Sequence, residues 1–435
     1  MLPTENPVRT PVWRAVLFHL VRLGLLGFCF AAYSLLADYL PDSWFGPAWV
    51  RYVFAGMCAA LLGIGLFYLL RSPPVRDLLG PEAAPVQPAQ PVQPAQPAVD
   101  AAPRPGAPSV QQIIDAGRAR LLADLRDGVR GDLRLRGWSQ VIGDSSPPGA
   151  VGTAYGLRLV QALDVRDPAV DLAQIVGSVL DMQLPGGGWA ARSQRGNIAR
   201  PEMTAFVLPA LVRAGLDTAT RTSLVARLEE LADLDADPGM SITTVLAVTL
   251  AALAELAPSS PRVAELSGAL ARGARTVGGS APMVGWGRWL QGRSALGDEP
   301  VVTQTARVVV ALDRVERLNP DRSGRRAELI EAALRWLRST VDFEVWDEKI
   351  SRRYGEETDL VVTGHFTAAW VARALLAAGG EDDVPALRRA VRAVLDSQRG
   401  GVWRRARTGS EPIWMMYQGI VALRGYALRN HPWPP

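Results

Sequence analysis

The sequence predicts an all-α fold, an (α/α)6 toroid preceded by two transmembrane helices and a proline-rich linker. Three observations carry it. From residue 109 onward apolar residues recur at helical spacing with hardly any strand alternation, as in Val110, Ile113, Ile114, Leu121, Leu122 and Leu125. A helix start built on threonine recurs five times in the same region, and a joint containing glycine and tryptophan recurs between the helices.

Residues 1–71 read as a membrane hairpin. Tyr52 to Leu70 is an uncharged run, long enough at about 1.5 Å per residue to cross a hydrocarbon core of roughly 30 Å. Leu23 to Ala37 forms a second span when extended back to Leu17 with His19 and Arg22 snorkelling toward the headgroups. Arg9, Arg14 and Arg22 precede the first span and Arg71 and Arg76 follow the second, so both ends are expected on the cytoplasmic side of a bacterial inner membrane. The lipid bilayer, contacted by residues 12–70, is thus an expected partner, with the spans serving as an anchor or as a multimerising pore.

Residues 72–108 are rich in Pro, Ala and Gln, with VQPAQP written twice between Val86 and Pro97. Such a segment cannot bury a core and reads as a semi-rigid spacer.

Residues 109–435 form the toroid domain. Its inner helices begin at Thr153, Thr204, Thr244, Thr305 and Thr367, and a sixth, near Met416, lacks the threonine. They are apolar nearly all round and therefore buried. Amphipathic outer helices alternate with them: Ser109 to Val129, Val170 to Met182, Arg221 to Leu234, Arg262 to Ala274, Arg325 to Val341 and Val384 to Asp396. Closing six such pairs into a ring buries the ends that an open solenoid would expose.

Composition limits the function. With 435 residues, 48% hydrophobic and 21% charged, the chain is neither disordered nor a disulfide-stapled miniprotein. The net charge of +4 rests on arginine, since Lys349 is the one lysine, and this compositional bias gives no reason to expect nucleic acid as a partner. Both cysteines, Cys29 and Cys58, lie in the N-terminal apolar stretches, so residues 109–435 can hold no disulfide, thiolate nucleophile or Cys-ligated zinc.

The joints are QLPGGGW from Gln183 to Trp189 and QRGGVW from Gln398 to Trp403, with looser relatives around Trp138, Trp286 and Trp346. With its repeat of Gln, three residues, Gly, any residue and Trp, the domain resembles the α/α toroid superfamily of terpene cyclases and protein prenyltransferases. Gln183, Gly187 and Trp189 match that repeat in full, and Gln398, Gly401 and Trp403 match it with one residue fewer.

The resemblance implies an acid in a DxDD motif for the cyclases and an Asp, Cys and His zinc site for the transferases. The nearest acidic string is Asp235-Ala-Asp237-Pro238, followed by glycine, and it also reads as a loop or helix cap. Aligned on the threonines, the ionisable helix-start residue is Glu202. His365, beside Glu357 and Asp359, is the remaining proton-transfer candidate. Neither a metal site nor a cofactor is expected.

The segments leading into the inner helices are rich in arginine. Arg195, Arg200, Arg288, Arg353 and Arg404, with the aromatic residues Trp189, Trp286, Trp403, Trp414 and Tyr417, are the expected ligand-binding set, suited to an isoprenoid or phosphorylated ligand. Pairing of these arginines with neighbours such as Glu411 is the structural alternative. The expected function is a membrane-anchored, non-catalytic module that senses an apolar or anionic ligand or a protein partner in bacterial signalling or defence, homo-oligomers included. The alternative is a terpene cyclase-like enzyme with an unorthodox acid, or a prenyl-diphosphate-binding protein.

Overall fold

The chain divides into Met1–Ala98 and Val99–Pro435, and the residues described in the computed structural model all fall in the second part. They are 109–190, 198–278, 282–290, 299–340, 342–354, 357–405 and 408–429. Among them no helix is long and apolar enough to cross a membrane, and the two spans and the linker lie outside the described residues.

Twelve α-helices alternate between two sets among the described residues. The outer set is α1 (Val110–Ala123), α3 (Leu172–Asp181), α5 (Thr218–Leu231), α7 (Pro261–Gly273), α9 (Arg325–Ser339) and α11 (Val384–Asp396). The inner set is α2 (Ala150–Ala162), α4 (Pro201–Arg213), α6 (Thr243–Leu256), α8 (Val302–Leu318), α10 (Thr367–Ala378) and α12 (Ile413–Leu428). Each inner helix packs on the next, and α12 packs back on α2, which gives a toroid-like ring.

Sequence explains which set is which. Outer helices present one apolar stripe, as α5 does with Leu224 and Leu228 as its buried residues, and Ser109, Asp171, Asp217 and Ser260 cap four of them by accepting backbone N–H bonds. Helix α6 instead buries Val245, Leu246, Leu250, Leu253 and Leu256 together with most of its alanines and threonines. Each fully buried Leu or Val contributes about 1.5–3 kcal/mol, so tertiary burial rather than capping holds the inner ring.

The tryptophans of the joints work as crosslinks. The indole N–H of Trp138 donates to the Leu121 carbonyl at 2.8 Å, Trp189 to Val179 at 2.9 Å, Trp286 to Leu270 at 2.7 Å and Trp403 to Val394 at 2.9 Å. Every acceptor is a carbonyl near the C-terminal end of the preceding outer helix, where no intrahelical donor remains or few do. The repeated threonine completes the joint, because Thr153, Thr204 and Thr305 accept the backbone N–H of Trp138, Trp189 and Trp286 through Oγ1 at 3.2, 3.2 and 2.9 Å. At Gly188 the backbone takes φ +81°, and a Cβ there would lie 2.7 Å from the Thr204 hydroxyl, so the turn before Trp189 requires glycine.

Two inner helices are cut away to receive the indoles. A Cβ on Gly156 would stand 2.1 Å from Trp138, and one on Gly419 would stand 2.6 Å from Trp403. Gly156→Ala is expected to lower stability by about 1–3 kcal/mol despite the better helix propensity of alanine. Urea unfolding measures it, with Gly177→Ala, where no atom lies within 4 Å of the added carbon, as the comparison.

The ring closes through a clasp between residues far apart in sequence. Ile142 N–H donates to the Glu411 carbonyl at 2.8 Å, Ile413 N–H donates to Gln140 at 3.1 Å, and Arg120 reaches the Glu411 carboxylate at 2.8 Å.

One expectation about local structure is corrected. Four antiparallel hairpins occupy connections from outer to inner helices: β1 (Arg126–Arg130) with β2 (Leu133–Gly137), β3 (Arg275–Val277) with β4 (Met283–Gly285), β5 (Val345–Tyr354) with β6 (Glu357–Phe366), and β7 (Gln398–Arg399) with β8 (Val402–Trp403). The first outer helix accordingly ends at Ala123 rather than Val129. Two-stranded ribbons have no sheet face to bury, so they lack the alternation that marks a strand in sequence.

Candidate functional site

All six inner helices contribute to a chamber on the ring axis with an internal volume of about 110 Å³. A single water needs roughly 10–15 Å³ on that measure, so the space suits a small organic group. Helix periodicity sets the walls: positions three, four or seven residues apart face the axis, giving Tyr155 and Arg158 from α2, Phe206 and Arg213 from α4, Arg307 and Arg314 from α8, and Trp370 and Arg373 from α10. Helix α6 adds Thr244 and small apolar residues, and α12 adds Tyr417 and Gln418.

The arginines are held by aromatic faces. The Arg307 and Arg373 guanidinium carbons lie 4.3 and 4.1 Å from the Trp370 ring centre. Arg158 lies 4.3 Å from the Phe206 ring and donates to the Phe206 carbonyl at 2.7 Å. Tyr417 stands between Arg158 at 5.9 Å and Arg373 at 5.7 Å, with the Tyr155 ring 5.6 Å away.

Charge in the chamber is unbalanced. Glu255 pairs with Arg213 at 2.5 Å and with Arg314 at 2.6 Å, whereas among the described residues no carboxylate pairs with Arg158, Arg307 or Arg373. Burial and the nearby Arg373 charge pull Arg307 down to about 10, which still leaves it protonated at neutral pH, and burial lowers Arg373 and Arg314 in the same direction. Burial by itself would raise the Tyr417 phenol, but the Arg158 and Arg373 charges outweigh it and bring Tyr417 down to about 8. Tyr155 moves the opposite way, raised by burial.

Below the chamber, where the inner helices begin, a buried polar network ties the root of the β5–β6 hairpin to the ring. Glu348 accepts from Arg288 at 2.6 Å and from Gln304 at 2.7 Å, and lies 3.1 Å from His365 Nε2. The Trp346 and His365 rings, paired across the hairpin, stack at 4.2 Å. Burial depresses His365 and so favours its neutral form, while Glu348 is held below its ordinary value because its His365 and Arg288 partners outweigh the opposing effect of burial. Arg307 joins the two regions by donating to the Gly364 carbonyl at 3.1 Å.

The residues proposed from sequence are scattered. Of the described ones, Tyr417 lines the chamber. Trp189, Trp286 and Trp403 are fully buried joint residues whose indole N–H groups are already bonded, and Trp414 packs against Gly364 with Arg405 over its ring. Arg288 pairs with Glu348 and Arg404 with Glu411, each within 2.8 Å. Arg200 is buried at the start of α4 and Glu202 is buried in its first turn.

Asp235 is exposed, and Asp237 caps a short 3₁₀ turn by accepting the Gly239 N–H at 2.6 Å. His365 sits under the chamber, fully buried, and its partner is Glu348. Arg195 and the Arg353 side chain lie outside the described residues, as do the Glu357 and Asp359 side chains. No group of three or more His, Cys, Asp or Glu suited to a metal occurs among the described residues.

The chamber arginines were missed because they lie inside the inner helices and not in the segments before them. Their signal was present as charges interrupting apolar runs: Arg158 in YGLRLV, Arg307 and Arg314 in ARVVVALDRV, and Arg373 in WVARAL.

No protein-family model matches the chain, and no curated protein does. Solved structures do. A glycoside hydrolase family 76 mannosidase from Bacteroides thetaiotaomicron VPI-5482 aligns over 73% of this chain and 97% of its own, at 9% identity and a TM-score of 0.48. A family 76 glycoside hydrolase from a bovine Bacteroides thetaiotaomicron strain covers 73% and 77%, at 10% identity and 0.46. A possible GH105 member from Klebsiella pneumoniae subsp. pneumoniae MGH 78578 covers 74% and 93%, at 13% identity and 0.45.

These findings correct the family resemblance drawn from the Gln, Gly and Trp repeat, because the neighbours are glycoside hydrolases and not terpene cyclases or prenyltransferases. The repeat is a way of joining helices, as the bonds of Trp189 to Val179 and Thr204 show. With it go the non-catalytic membrane sensor and its cyclase alternative. At 9 to 13% identity the likeness does not extend to site residues or activity.

Proposed function

We propose that residues 109–435 are an (α/α)6 toroid enzyme that cleaves an anionic, uronate-containing saccharide by β-elimination, with Tyr417 as the base. One observation carries this reading: the Tyr417 phenol stands between two guanidinium groups that have no carboxylate partner among the described residues and is lowered to about 8.

A proton beside a carboxylate is hard to remove because the resulting carbanion adds charge to a group already negative. Guanidinium groups that neutralise that carboxylate stabilise the charge as it develops, and they favour the phenolate that removes the proton. Arg158 and Arg373 are placed for both tasks, and the aromatic faces of Phe206 and Trp370 give an apolar sugar face a surface to stack on.

The step balances without a further reactant. Tyr417 phenolate takes the proton from C5 of the uronate, the C5 electron pair forms the C4–C5 double bond, and the C4–O bond to the leaving sugar breaks. The phenol then returns the proton to the leaving oxygen. Hydrolysis by a carboxylate pair needs two carboxyl groups about 5–9.5 Å apart, and among the described residues the chamber walls include none.

Incubating the full chain with 4-linked polyuronates and weighing the products by mass spectrometry tests the reading, because elimination yields a product lighter by one water than hydrolysis does. New reducing ends on products that all carry the mass of hydrolysis would overturn it.

A further inference from the structure

We infer that the chamber is closed at the end where the inner helices begin, so that it admits an anionic saccharide by its reducing end and removes one residue at a time. This inference rests on the proposed elimination and adds its mode.

Consider first the closed end. Thr303 and Thr367 share a hydroxyl contact of 3.0 Å there, and Gln304, Glu348 and His365 are at most 1% exposed. Arg307 bonds the Gly364 carbonyl of the hairpin root, and the Trp414 ring covers Gly364 so closely that a Cβ would stand 2.2 Å from it. No saccharide can thread through packing of that density.

The opposite end is open. Arg213 and Arg314 on that side have side chains 41% and 36% exposed. Arg213 ends α4, whereas Tyr417 is the fifth residue of α12. Eight residues of helix separate the two levels, so the base lies about 12 Å below the mouth.

Direction follows from that depth. The sugar whose C5 proton is taken must sit beside Tyr417, and little space remains beneath it. The departing sugar hangs from O4, and it must occupy the path to the mouth. A residue with its chain attached through O4 and nothing on its other side is the reducing-end residue. Its hydroxyls meet two buried polar atoms without a partner in this structure, the acceptor Gln418 Oε1 and the donor Trp370 Nε1, both on chamber-lining residues.

The test is a time course of the full chain acting on a defined uronate tetramer, run with its reducing end native and with that end coupled to a bulky fluorophore. The expected result is an unsaturated monosaccharide as the first product and a loss of rate of at least about 100-fold on the blocked tetramer, because the reactive carbon can no longer reach Tyr417. A mixture of unsaturated oligomers at early times, or equal rates on both tetramers, would overturn the closed chamber while leaving elimination in place. Absence of any unsaturated product from either tetramer would overturn elimination itself and this inference with it.

Discussion

Tyr417→Phe is expected to lower kcat/KM for the proposed elimination by about 10²–10⁴-fold, the usual contribution of a positioned general base. The ring still fills its place on α12 beside Tyr155, so thermal unfolding changes little and the loss belongs to chemistry. The pH profile gives the second check. The phenol is lowered from 10.0 to about 8, and the base works deprotonated, so the rate rises about tenfold per pH unit below 8 and levels off above it. Near 10, Arg307 begins to lose its proton and the anion site weakens, which closes the profile on the alkaline side. Arg158→Met removes the larger of the lowering charges on Tyr417, together with its hydrogen bond to the phenol, and shifts the acid limb upward. An acid limb that stays in place in Arg158→Met would show that another group titrates.

Trp189→Ala has the largest expected effect on stability, a loss of about 3–5 kcal/mol by urea unfolding. Trp189 is 1% exposed, its indole N–H serves the Val179 carbonyl of α3, and its backbone N–H bonds Thr204 of α4. Trp189→Phe separates these two roles, since the ring volume is largely kept and the buried carbonyl loses its donor, at about 1–3 kcal/mol. Trp414→Ala, at a half-buried ring, is expected to cost less than Trp189→Ala. Equal losses at the two positions would show that the indole bond to the outer helix is not what makes a joint.

Much of the architecture was legible because it repeats. Thr153, Thr204 and Thr305 are visible in sequence as helix starts, and the structure gives the physical reason: each accepts the N–H of the joint tryptophan ahead of it. Helix α12 lacks that threonine and was still recognisable from its apolar residues and from Gly419, which makes room for Trp403.

The chamber was harder to see because burial and function place opposite demands on the same helices. A reading that treats inner helices as apolar looks for charge in the loops, and it therefore selected Arg288 and Arg404, which are already paired with Glu348 and Glu411. A guanidinium in the middle of an apolar helix, as in Arg158 or Arg373, has to face a cavity or a partner. The Glu348 pairing with His365 was beyond reach for another reason, since it depends on the register of a hairpin whose residues do not alternate.

The clasp between Gln140 to Ile142 and Glu411 to Ile413 also bears on how the molecule assembles. Joint bonds span 9 to 19 residues of chain and can form early, within a few turns of helix. The clasp spans some 270 residues, and because the entropy of closing a loop grows only as the logarithm of its length, waiting until the intervening helices have stacked adds little to the barrier. Folding is therefore expected to run as the growth of a spiral whose two ends meet last. Until they meet, the chamber has a slit between α12 and α2, and Tyr417 and Arg158, which belong to those two helices, come together in the same event that completes the ring.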